Sequence, residues 1–377
     1  MKSILKNLFL LLFIILLTVC TSVQNNNKSG NSYYVQANGS DSNQGTSESA
    51  PFKTLTKALE TASMSTIKKI TVIGTLIGET STEHLTPVWK RETQQVKFID
   101  IDRRKDRNTQ TEFIFRDYIQ LKGSYDEPHP HEILITGKAN ANSKEKAVLT
   151  SNTSALLIFN CAIRLENIEI SGCQGSLSAI NVFDGDLTLA KGTKIIKNKS
   201  EGEGSISASG STIIMRDNAE ISYNESINGA GIYLYNESIA ILLDNALITN
   251  NKAKKDGGGI AVIGSSLIMK NNSTISYNSA DGGGGGIITS PDIETVLYSH
   301  ITISDNASVI RNTAKNGGGI FLEDILILQG TVQITENTAF ELCGGIGVTE
   351  SALIVKGDKV ILKNNRASGY INTNYIF

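Results

Sequence analysis

From Leu165 onward the chain repeats itself about every 26 residues, and that period limits it to an array of stacked units. Apolar anchors that follow small residues fall at Ile180, Ile206, Ile232, Ile260, Ile287, Ile320 and Ile346, separated by 26, 26, 28, 27, 33 and 26 residues. A second landmark, an apolar residue, two variable ones and then Asn, recurs in phase and ends at Asn198, Asn224, Asn250, Asn278, Asn312, Asn337 and Asn364. Anchor and Asn are 18 residues apart in five of the seven copies, 17 in one and 25 in the copy that starts at Ile287. A Ser or Ala follows each Asn two or three residues later.

Within a copy the apolar residues alternate, as in Leu187-Thr188-Leu189 and Ile232-Tyr233-Leu234, in short β-branched runs bounded by Gly, Asn or Asp. Such runs at one fixed period predict an all-β solenoid, a parallel β-helix whose coils hold three strands each and stack at the strand spacing. One Asn at the same turn of every coil can donate to and accept from its neighbours, so the seven Asn are expected to form a structural amide ladder. Cys173 stands where the Asn would be in the earliest coil, Ile170-Ser171-Gly172-Cys173. The runs Gly257–Gly259, Gly282–Gly286, Gly317–Gly319 and Gly344–Gly345 precede strands, and no Lys-Ser/Thr follows them. They mark positive φ or close coil approach, not a phosphate cradle.

The N-terminus reads as export machinery. Lys2 and Lys6 precede the ten-residue apolar run Leu8–Leu17, which is too short for a spanning helix. Residues 1–20 are therefore expected to be a signal peptide, 21–32 a polar flexible tether, 33–164 a cap with irregular early coils, and 165–377 the regular repeats. Phe52, Leu55, Leu59 and Ala62 fall on one helical face after Pro51, predicting a short helix that covers the open end of the stack. Ile70–Ile73 and Phe113–Phe115 are strand candidates. The charge-dense stretch Asp100–Arg107 reads as a solvated loop, and Asp41-x-Asn43-x-Gly45 as a tight turn.

Leu17-Thr18-Val19-Cys20 resembles the lipobox of bacterial lipoproteins, with Val19 where that motif has a small residue. The resemblance implies a lipid on Cys20 and attachment to a membrane. Gly258-Gly259-Ile260, Gly285-Gly286-Ile287, Gly318-Gly319-Ile320 and Gly344-Gly345-Ile346, with their Asn partners, resemble the polymorphic outer-membrane protein repeat, although Ile, Leu or Val replaces its Phe. Tyr34-Val35-Gln36-Ala37-Asn38-Gly39 through Thr46, followed by Pro51-Phe52-Lys53-Thr54-Leu55, is similar to the opening of right-handed parallel β-helix proteins of the pectate-lyase-like superfamily. Together these imply a right-handed helix at the outer membrane or cell surface.

Neither resemblance fixes an activity. The hydrolase signatures, an Asp-Asp pair, Gly-His-Gly and Arg-Ile-Lys, are missing, and His84, His129, His131 and His300 share no repeat phase. Asp184, Asp186, Asp217, Asp244 and Asp324 are not expected to line up beside a Lys or Arg. Cys161, Cys173 and Cys343 lack metal or disulfide spacing and read as buried thiols. A net charge of −2 argues against nucleic acid as a partner. The seven extra residues in the coil from Ile287, around Thr289, Ser290, Pro291, Asp292, Ile293, Glu294 and Thr295, are the candidate binding loop. Residues 370–377 are expected to finish the last coil. The sequence thus predicts a non-catalytic, lipid-anchored adhesin for a host or matrix protein or glycan, with no cofactor. The alternative is a polysaccharide lyase or glycoside hydrolase, in which a lyase would use Ca²⁺.

Overall fold

A computed structural model describes residues 32–78, 132–159, 161–291, 297–349 and 352–369. These form an all-β parallel solenoid of about eight turns with one short helix. Four strands, not three, make each complete winding. They belong to an eleven-stranded sheet A, a ten-stranded sheet B and two eight-stranded sheets, C and D. The first complete winding runs through Leu156–Phe159 in C, Ala162–Glu166 in A, Glu169–Ser171 in B and Gln174–Gly175 in D. The extra strand arises because the residue before each ladder position takes a left-handed conformation: Gly172, Lys197, Tyr223, Asn250, Tyr277, Arg311, Glu336 and Asn364, all with φ between 50° and 72°. That kink divides the third side into a three-residue strand and a second strand of two to five residues.

All strand pairs are parallel and mostly in exact register, so equivalent side chains stack. Ile180 pairs with Leu156 and Ile206, Ile206 with Ile232, and the column continues through Ile260, Ile287, Ile320 and Ile346. Every Ile of this column is at most 1% exposed, and it joins the inner columns of sheets A and B in one continuous apolar core. Salt bridges such as Lys194–Glu220 and Arg311–Glu336 join adjacent windings on the surface, where each contributes little.

The amide ladder runs through Asn198, Asn224, Asn251, Asn278, Asn312, Asn337 and Asn365. Asn250 and Asn364 are not members: both are exposed and occupy the left-handed position just before it. The register explains the shift. Ile221 pairs with Ile248, not Leu247, and Ile334 with Leu362, not Ile361, because these two coils carry extra residues in an earlier turn. A slip of one residue exchanges the inward and outward faces of a strand. Asn224 is typical of the ladder. Its Nδ2 donates to Ile195 O and Asn251 Oδ1, both at 2.9 Å, while its Oδ1 accepts from N and Nδ2 of Asn198 at 3.0 Å. Cys173 opens the column by donating its backbone N–H to Asn198 Oδ1.

Two further corner columns were not visible in the repeat. At the turn from C to A, Ser211, Ser238 and Ser265 each accept, through Oγ, a backbone N–H from the preceding winding. At the turn from A to B, carboxylate or amide oxygens of Asp217, Asp244, Asn271 and Asp305 do the same. Asp217 and Asp244 therefore do share a phase, and they serve as turn acceptors.

The helix α1, Leu55–Ser63, begins at Thr54, whose Oγ1 accepts from Lys57 N, and packs Ala58, Leu59 and Ala62 against the first strands of sheet A. Asp41 braces its start. Burial opposes ionisation there, but hydrogen bonds from N and Oγ1 of Thr54 and from Lys53 N prevail and hold the carboxyl below its usual range. The Asp41–Gly45 segment is thus a turn that holds the cap.

Candidate functional site

Sheet C presents two outward columns with little charge. One runs Leu157, Asn181, Ser207, Tyr233, Ala261, Ile288, Phe321. The other runs Phe159, Phe183, Ser209, Tyr235, and then Ile263 paired with Ser290. Alternation dictates this face: Ile180 and Val182, or Ile232 and Leu234, turn inward, so the residues between them must turn out. Phe159 and Phe183 stack with centroids 4.8 Å apart and planes 13° apart, and Tyr233 and Tyr235 lie 5.7 Å apart at 45°.

The inserted segment leaves this face at its border with sheet A. Thr289 and Ser290 are strand, not loop: Thr289 is fully buried in the core and its Oγ1 accepts from Glu323 N, while Ser290 Oγ donates to Glu323 Oε2 at 3.0 Å. The insertion lies between Ser290 and His300, where the preceding winding has only Gly264 and Ser265. Pro291 starts it. Asp292, Ile293, Glu294 and Thr295 lie outside the described residues, as do Cys20, Asp100–Arg107, Phe113–Phe115, His84, His129, His131 and residues 370–377.

A charged group gathers on the outer face of sheet A. Strand pairing sets Glu166 beside Thr136 and Asp186 beside Ala162, and Arg164 Nε holds Glu166 Oε1 at 2.7 Å. Burial pushes the carboxyl of Glu132 up to about 7. Arg164 and a hydrogen bond with Thr188 pull it down, and Asp186 and Glu166 add repulsion. Glu132, which lies outside the regular repeats, thus draws Arg164, Asp186 and Glu166 to one carboxyl. Among the described residues, no three His, Cys, Asp or Glu side chains are grouped to hold a metal ion. Cys161, Cys173 and Cys343 are buried thiols outside any disulfide, and burial pushes the first two up to about 11.

A cleft of about 600 Å³ opens between α1 and the first strands of sheets B and C, lined by Leu55, Leu59, Leu76, Leu149 and Leu156 among others. No helix among the described residues is long and apolar enough to cross a membrane. A family model described as a right-handed β-helix region matches residues 217–374, which agrees with the solenoid and gives its hand. No curated protein and no solved structure matches the chain.

Proposed function

We propose that the chain is a non-catalytic binding protein of the bacterial surface, lipid-anchored at Cys20, that adheres to a host or matrix protein or glycan through the outer face of sheet C. The observation that carries this reading is the set of outward, partly exposed aromatic and aliphatic side chains along the sheet: Phe159, Phe183, Tyr233, Tyr235, Ile263 and Phe321. A rigid surface bearing aligned aromatics is suited to contact, because such side chains add buried area at little entropic cost. Cells displaying the chain should adhere to matrix-coated surfaces, and Tyr233→Lys with Ile263→Lys, both partly exposed, should abolish adherence without lowering the melting temperature appreciably. Adherence that survives both changes would remove sheet C from the proposal. Cys20→Ala should release the protein from membranes.

The group around Glu132 favours a second reading, a polysaccharide hydrolase or lyase. A carboxyl that is half-protonated near neutrality beside the second carboxylate of Asp186 is suited to proton transfer. Release of reducing ends or unsaturated products from polysaccharides, lost in Glu132→Gln, would establish that reading. No product from either neutral or acidic polymers would dismiss it.

A further inference from the structure

The ring ladder on sheet C skips a rung. Phe159 and Phe183 stack at one winding's spacing, the next winding has Ser207 and Ser209 in the outward columns, and the one after it has Tyr233 and Tyr235 there. Phe183 and Tyr235 therefore stand in one column on either side of a slot two windings wide, about 9.6 Å. The near-parallel stack with Phe159 turns the free face of Phe183 along the axis, into the slot. A ring standing on the Ser winding would lie about 4.8 Å from either wall, within the range at which ring faces attract.

The floor is polar. Ser207 is 9% exposed, and its hydroxyl has no hydrogen-bond partner among the described residues. Ser209 Oγ accepts from Asn236 Nδ2 at 2.9 Å, which leaves its own proton to donate. An apolar aromatic ring would leave the Ser207 hydroxyl buried and unpaired, at a cost. A ring with apolar faces and a rim of hydroxyls would satisfy floor and walls together. The charged residues within three positions of the three strands, Asp184, Asp186, Glu203 and Glu237, are acidic and disfavour an anionic ligand.

Building on the adhesive reading of this face, we infer that the slot between Phe183 and Tyr235 binds a single pyranose ring of a neutral glycan, with Ser207 and Ser209 contacting its hydroxyls. Calorimetric titration of the full chain with gluco-, galacto- and manno-oligosaccharides, and with oligogalacturonate, tests this. At least one neutral oligomer should bind saturably, with oligogalacturonate about tenfold weaker or worse. Tyr235→Ala should weaken the neutral ligand about tenfold or more, and Phe340→Ala, an exposed ring in the strand Thr338–Leu342 of sheet D, should not. Ser209→Phe supplies the skipped rung and should abolish binding while circular dichroism and melting stay those of the folded chain. Failure of every neutral oligomer to bind, or full binding by Ser209→Phe, overturns the slot. If cells still adhere in either case, the slot alone is lost and the face contacts a protein. If wild-type cells do not adhere, the adhesive reading itself falls.

Discussion

The ladder Asn is the residue on which each winding turns. Each interior member makes four side-chain hydrogen bonds at 2.9–3.1 Å in a dry environment, where an unmade bond costs more than a made one contributes. Asn278→Ala removes all four and strands the amide of Asn251, so denaturant unfolding should show a loss of about 3–5 kcal/mol. Asn250→Gly, one place before the ladder and already at φ 55°, should change stability by no more than about 0.5 kcal/mol. The reverse ranking would mean that the register is wrong. The sequence could have distinguished these neighbours: Ser200, Ser226, Ala253, Ala280, Ala314, Ala339 and Ala367 each follow the true ladder member by two residues. The constant spacing of 18 from the anchor misled, because it spans a turn of variable length. Glu132 offers a second test at this scale. Its folded pKa of about 7 exceeds its ordinary value of 4.5, so the native state holds a proton that the unfolded chain releases. The native state is therefore penalised progressively as pH rises from about 4.5 to 7, and fully above that window. Glu132→Gln should melt at a higher temperature than wild type at pH 8 and at a similar one at pH 4, and an equal offset at both would refute the assignment.

Among the elements, turns absorbed variation while strands did not. The corner between sheets C and A has two residues at Gly210–Ser211, three at Asn236–Ser238 and nine between Ser290 and His300, yet the flanking strands keep their pairing. Ser299 shows why: its Oγ donates to Val262 O at 2.9 Å and its N–H to Asp324 Oδ2 at 3.1 Å, so the chain re-enters the stack at a fixed anchor. Replacing residues 291–298 by a single Gly recreates the Gly264–Ser265 turn. The product should fold with unchanged circular dichroism and a melting temperature no lower than wild type, since a shorter loop costs less entropy to close. A cut that also removed Thr289 would open a hole in the core. Strand identity was readable because inward β-branched residues alternate. The break that makes the fourth strand was not, since Lys197, Tyr223 and Arg311 hold the left-handed position without the Gly or Asn that usually announces it.

For the whole molecule, the repeat made the solenoid legible because each winding must bury its inner face against the next, and only a constant period keeps like residues in contact. The outer faces follow no such rule, so the period says nothing of what they do. The aromatic columns of sheet C emerged only when register placed Phe183, Ser209 and Tyr235 in line. The carboxylates of sheet A emerged only when Glu132, from before the first complete winding, was seated beside Arg164 and Asp186. Exact parallel register has a further consequence for inheritance. Since consecutive windings present the same backbone edge above and below, in-frame gain or loss of one genetic unit, the 26 codons between Ile180 and Ile206, leaves two compatible edges in contact. The protein can therefore change its reach in increments of about 4.8 Å per unit without redesign of its ends.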